Sequence, residues 1–128
     1  MSKILPILLV FGLAACVSDT VADLQANTPV RMTVNKPYEA LYREAYTLAH
    51  NCPQGLIRTR GQLFPDARRG EIVASLVTPY ATTQQIAINI EPKDEASSDV
   101  TIWTATHANQ IRLASVSKGW IEGRADCL

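Results

Sequence analysis

The chain has 128 residues, a length that suits one small domain. Its 12 basic and 12 acidic residues cancel, so no global charge draws it to nucleic acid. Hydrophobic residues make up 47%, partly because they crowd the first fifteen positions, and a domain this small has a modest core that a covalent staple often supplements.

The chain opens with one charge, Lys3, and then an apolar run from Ile4 to Leu13. That run is about half the length a bilayer-spanning helix needs. Charge, short apolar core and small residues before a cleavage point are the parts of a secretory signal peptide. Leu13-Ala14-Ala15-Cys16 follows directly, and the stretch resembles the lipobox of bacterial lipoproteins. The resemblance covers sixteen residues. It implies that cleavage leaves Cys16 as the N-terminus, carrying a thioether-linked diacylglycerol and an N-acyl chain. Each buried methylene contributes about 0.8 kcal/mol, and two or three chains hold a protein on a membrane where one does so marginally. Position 17 is valine; in enteric-type sorting an aspartate there retains lipoproteins at the inner membrane. By resemblance, the expected location is the periplasmic face of the outer membrane.

Residues 1–15 are thus read as signal peptide, 16–28 as lipidated N-terminus and tether, and 29–128 as one domain. The segment 17–28 (VSDTVADLQANT) is small and polar without sustained periodicity, which suggests a flexible linker reaching about 40 Å when extended. Pro29 to Val34 alternates Val30, Met32 and Val34 with Arg31 and Thr33, as a half-buried strand does. Pro37 suits the first turn of a helix, where its missing N–H goes unneeded. Tyr38, Leu41, Tyr42, Ala45, Ala49 and Cys52 then fall on one apolar helical face, with Glu39 and Arg43 paired outside it. Pro53 and Gly55 end that helix.

From Leu56 the period becomes two. Leu56 to Phe64, Glu71 to Thr78, Gln84 to Glu91 and Val100 to Thr106 read as strands separated by proline, glycine and aspartate turns. Short connections favour an antiparallel meander. The segment 107–122 is ambiguous. Gln110 to Val116 alternates, which favours a last strand, while Ile111, Ala114, Ser115, Lys118 and Ile121 trace a mixed helical face.

With Cys16 assigned to the lipid, Cys52 and Cys127 remain as the one possible pair in an oxidising compartment, and a disulfide is expected between them. A metal site using both cysteines with His50 or His107 is the competing reading, but the spacing is not that of a zinc site.

No arrangement of residues points firmly to catalysis. Ser115-Val116-Ser117-Lys118 matches the Ser-x-x-Lys of penicillin-binding proteins, but their companion motifs are missing and the chain is far too short for that fold. His50 near a helix end is explained by the helix dipole, and His107 reads as a surface residue. The aspartates and glutamates of the turns do not single out an acid–base pair. Arg58, Arg60, Arg68 and Arg69 are the one local charge excess, and a folded-back hairpin would gather them into a patch for an anionic partner. The plainer account is a solvated strand face that also guards a sheet edge. Tyr46, Trp103 and Trp120 are less committed to the core pattern than Tyr38 and Tyr42, and would mark a binding surface if exposed.

The expectation is an α+β domain: one amphipathic helix on an antiparallel sheet of about five strands, with a single disulfide. Beyond the covalent lipid, no cofactor or metal is expected. The expected role is that of a membrane-tethered, non-catalytic interaction module with a protein partner in the cell envelope, such as an accessory subunit of an envelope or secretion assembly. The alternatives are a protective or inhibitory lipoprotein acting on a periplasmic toxin or hydrolase, and a small lipid- or ligand-binding module.

Overall fold

Five strands and three helices are present in the computed structural model, which describes residues 20–53, 55–107 and 109–128. Cys16, on which the lipidation reading rests, lies outside the described residues. The order is α1 (Val21–Gln25), β1 (Val30–Val34), α2 (Tyr38–His50), β2 (Ile57–Phe64), β3 (Arg69–Val77), β4 (Thr82–Pro92), β5 (Ser98–Thr104) and α3 (Gln110–Ile121).

Strands β2 to β5 form an antiparallel meander, and β1 adds beside β5, so the spatial order is β1-β5-β4-β3-β2. This places β1 and β2 at opposite edges. The chain between them must therefore cross the sheet, and α2 makes that crossing over one face. Pro37 caps α2 from just outside rather than sitting in its first turn, and its carbonyl accepts the Leu41 N–H at 3.0 Å. Leu41, Tyr42, Ala45 and Ala49 are buried, matching the face read from the sequence. They meet Ile72 and Ala74 of β3, Ile86, Ile88 and Ile90 of β4, and Val100 and Ile102 of β5, which alternate onto the same side. One irregularity interrupts the ladder: Ala74 pairs with Ile86 but Ser75 with Gln84, leaving Gln85 as the extra residue of a bulge.

The last segment corrects the sequence expectation. Gln110–Val116 is not a strand; it is the first half of α3. Leu113, Val116, Ser117, Trp120 and Ile121, spaced i, i+3, i+4, i+7 and i+8, are buried, with Gly119 beside them. The alternation of Ile111 and Leu113 was misleading because the two do opposite things. Leu113 is buried, whereas Ile111 is 87% exposed. Ser117 is a polar residue inside this apolar stripe and masked the period; its hydroxyl donates to the Leu113 carbonyl one turn back at 2.7 Å. Trp120, 2% exposed, donates its indole N–H to the Asp126 carbonyl at 2.7 Å and so fixes the tail against α3. The tail ends in the disulfide Cys52–Cys127, with Cα atoms 5.5 Å apart. That bond removes the metal reading, which needed both thiolates.

The expected linker is also corrected in part. Val21–Gln25 is a short helix lying on the other face of the sheet. Leu24, 5% exposed, packs on Val73 and Ala87, with Val21 and Trp103 at the margin. Thr20 and Asp23 form a capping box that holds the first turn, and Asn27 donates to the Thr104 carbonyl at 3.0 Å. Ordered chain therefore begins by residue 20, well before the expected domain start at 29. A single periodic apolar pair over five residues is too little signal to read as a helix.

Candidate functional site

The turns of a meander fall alternately at its two ends. The β2–β3 turn and the β4–β5 turn share one end, and α2 begins there because β1 ends there. Between these three segments lies a cleft of about 430 Å³. Its walls are the first two turns of α2 with Tyr38, Glu39 and Arg43, Arg68 from the β2–β3 turn, and Asp94 and Glu95 from the β4–β5 turn.

Each wall is set by local chemistry. Arg68 closes its turn with an N–H donated to the Pro65 carbonyl at 3.1 Å, and its φ is +50°. That left-handed conformation costs an L-residue roughly 1–2 kcal/mol and is usually given to glycine. Asp94 is held by its own turn: its carboxylate accepts the Ala96 N–H at 2.9 Å, and the Lys93 N–H reaches the Ser97 carbonyl at 3.0 Å. The Ser97 hydroxyl first, then the Ala96 N–H, holds the Asp94 carboxyl below the usual range. Tyr38 donates its hydroxyl to Glu39 at 3.3 Å. Partial burial, then the Glu39 charge, raises its pKa, and the nearby Arg68 guanidinium opposes the rise. The cleft thus offers two guanidinium groups, three carboxylates (Glu39, Asp94 and Glu95) and an aromatic ring, with Arg43 already 3.9 Å from Glu39. Such a set can bind ions of both signs and clamp a short segment of chain.

The four arginines do not form the single patch that the sequence suggested. Arg58 and Arg60 point from β2 to the sheet face away from α2, in register with Ser75 and Val73. Arg69 shares that side opposite Phe64, its guanidinium 4.6 Å above the ring centroid. Glu71 lies in the neighbouring register position and interrupts them. Arg68 alone lies on the α2 side, where it lines the cleft with Tyr38 and Arg43, one position before Arg69 on the other face.

The remaining candidates find structural roles. His50 ends α2 and stacks on Tyr46, centroids 5.4 Å apart, while Tyr46 stacks on Tyr42 at 5.9 Å. His107 accepts the Asn109 N–H on Nδ1 at 3.1 Å and lies 2.8 Å from Gln85 Oε1 through Nε2. This pairing places the proton on Nε2 and makes the ring a cap for the start of α3. Ser115 and Lys118 are both exposed on α3, and Lys118 faces Glu122 at 3.8 Å. Trp120 is core, and Trp103 is half-buried beside α1. Among the described residues, no cluster of His, Cys, Asp and Glu is placed to hold a metal ion.

Sequence reasoning missed the cleft because its walls come from positions 37–43, 68 and 92–95. The signal was available: in a meander, alternate turns fall at the same end. Comparison of the chain with protein-family models and with curated proteins finds no match to either.

Proposed function

We propose that this protein is a lipid-anchored interaction module whose cleft at the start of α2 grips a short segment of a protein partner. The reading has two supports. The first is the Leu13-Ala14-Ala15-Cys16 resemblance, which gives an anchor on Cys16 and the periplasmic face of the outer membrane as its place. The second, which carries the partner-binding claim, is Arg68. An arginine occupies a left-handed position that glycine fills at lower cost, and the reward is a guanidinium aimed into a cleft with Arg43, Tyr38, Asp94 and Glu95. Its volume lies within the range of about 300–1,000 Å³ common to ligand-holding clefts. Guanidiniums and carboxylates side by side in one cleft, Arg68 with Arg43 and Glu39, then Asp94 and Glu95, suit a polypeptide segment bearing both an acidic and a basic side chain.

The test is crosslinking in intact cells, then affinity purification and mass spectrometry, with three variants. Arg68→Gly relieves the backbone and removes the guanidinium, so it keeps the fold while losing the partner. Arg58→Ala, on the opposite face, keeps both. Cys16→Ala releases the folded domain from the membrane. A stoichiometric partner captured by wild type and by Arg58→Ala but lost with Arg68→Gly supports the reading. Equal capture by all of them, or no partner for any, overturns it.

A further inference from the structure

Four large apolar side chains are prominently exposed among the described residues: Val30 at 45%, Leu56 at 58%, Tyr80 at 82% and Ile111 at 87%. They come from four different segments, yet the topology brings all of them to one end of the molecule. Leu56 immediately precedes β2, Tyr80 sits in the β3–β4 turn, Val30 begins β1, and Ile111 is in the first turn of α3 after β5 has ended. In this sheet β1, β2 and β4 start at the end where β3 and β5 finish. The start of α3 is fixed there as well, because Arg112 and Leu113 share a cavity with Ile57 and Leu76. This is the end opposite the Arg68 cleft.

The apolar end carries few charges, and they are mostly basic. Among the described residues of segments 20–31, 50–58, 76–84 and 103–113, the arginines are Arg31, Arg58 and Arg112, and the one carboxylate is Asp23. That carboxylate is turned onto its own helix cap. The C-terminal tail returns to this side with Asp126, whose carboxylate is paired with Arg124 at 3.0 Å. The turns at the opposite end carry dense charge of both signs, Lys36, Arg68, Arg69 and Lys93 among Asp66, Glu91, Asp94, Glu95 and Asp99.

The chain also enters at the apolar end. A cavity beside α1 is lined by Asp23, Leu24 and Asn27 together with Thr83, Thr106 and His107, all at that end of the sheet. If Cys16 carries the anchor, only residues 17–19 separate it from Thr20. Four Cα steps span at most about 14 Å. The domain has too short a leash to stand clear of the headgroups, and the end nearest the bilayer is the one that is apolar and basic.

We infer that this end rests on the membrane: Leu56, Tyr80 and Ile111 enter the boundary between headgroups and acyl chains, and Arg31, Arg58 and Arg112 face lipid phosphates. The occupant of the apolar pole is thus the surface of the leaflet that holds the anchor. The Arg68 cleft, at the far end of the strands, is then directed away from the bilayer toward partners. This orientation rests on the lipid-anchor reading of Cys16 proposed above. It needs nothing covalent beyond that anchor, because interfacial apolar contact and arginine–phosphate attraction add to the hold of the acyl chains.

The test uses the full lipidated protein in vesicles of phosphatidylethanolamine and phosphatidylglycerol, with and without brominated acyl chains. Tryptophan is introduced by Tyr80→Trp at the apolar end or by Ala67→Trp in the β2–β3 turn at the cleft end, and the emission of Trp103 and Trp120 is subtracted using the unsubstituted protein. Both positions are exposed in turns. The expected result is that bromine removes the added emission of Tyr80→Trp and leaves that of Ala67→Trp. Equal quenching at both positions, or none at position 80, overturns the orientation. So does a blue-shifted but unquenched emission at position 80, which would mean that a second protein copy covers the pole. Mass spectrometry of Cys16 separates the two proposals: an unmodified cysteine on protein that stays in the aqueous phase overturns the anchor, and the orientation with it. An acylated Cys16 without quenching overturns the orientation alone.

Discussion

Tyr46 lies so close over Gly61 that a Cβ on the glycine would sit 2.5 Å from the ring's Cδ2. The hydroxyl of Tyr42 would be equally near, and Gly70 one strand over meets the Tyr42 ring at 2.6 Å. The two glycines let the tyrosine row of α2 settle onto β2 and β3. Gly61→Ala should therefore destabilise by about 1–3 kcal/mol, the usual result of forcing volume into a packed core. The check is a urea midpoint, and Gly61→Ala should cost less in a Tyr42→Phe, Tyr46→Leu background, which removes both close atoms, than in the wild type. An unchanged midpoint in the single variant would show that the rings move aside freely.

The Cys52–Cys127 bond closes a separation of 75 residues. In the chain-entropy view this limits the unfolded state by about 4 kcal/mol. For a domain of about 100 residues that corresponds to a melting temperature lower by more than about 10 °C on reduction. Near-ultraviolet circular dichroism should register the same event, because the Trp120 indole is tied to the Asp126 carbonyl, one residue before Cys127. Identical melting with and without reductant would show that the bond adds nothing.

Leu24 distinguishes a folded entry segment from a loose linker. It packs on Val73 and Ala87 in a cluster of its own, separate from the main core. Leu24→Ala should cost about 2 kcal/mol, the low end for a buried leucine, because a small surface cluster can partly collapse. Trp103, at the margin of that cluster, should shift its emission to the red, while Trp120 stays unchanged. A variant as stable as wild type, with unaltered emission, would return residues 20–28 to the linker reading.

Acid should loosen α1. The Asp23 carboxylate accepts the Thr20 N–H at 2.8 Å and the Thr20 hydroxyl at 2.9 Å, and these bonds, the backbone one foremost, lower its pKa. A lowered folded-state pKa means the contribution is complete above the ordinary aspartate value of about 3.9 and is lost as pH falls through the lower folded value. Amide hydrogen exchange at Thr20 and Asp23, followed downward from pH 5, should show protection disappearing in that window. Asp23→Asn should remove the transition at these amides and leave intact the one at Ala96, which depends on Asp94. Loss of protection above pH 5 would assign the cap to another group.

The α+β class, the antiparallel meander, the apolar face of α2 and the pairing of Cys52 with Cys127 were legible in the residue pattern. These follow from local facts: a period of two or of 3.6 in apolar residues, proline and glycine at turns, and, for the disulfide, three cysteines of which the lipobox resemblance set Cys16 aside. Local facts failed where the signal was short or mixed. Leu24 is one apolar residue in a polar stretch, and only Val73 and Ala87 make it part of a core. In α3, the buried polar Ser117 and the exposed Ile111 inverted the pattern, and only packing against α2 and the sheet shows which face is inside. Tertiary structure alone decided that Arg68 leaves the other arginines to join Tyr38 and Asp94. It also gathered Val30, Leu56, Tyr80 and Ile111 at one pole. Both results depend on which end of the sheet each turn occupies, and that is fixed by strand order, a long-range property that no window of neighbouring residues contains.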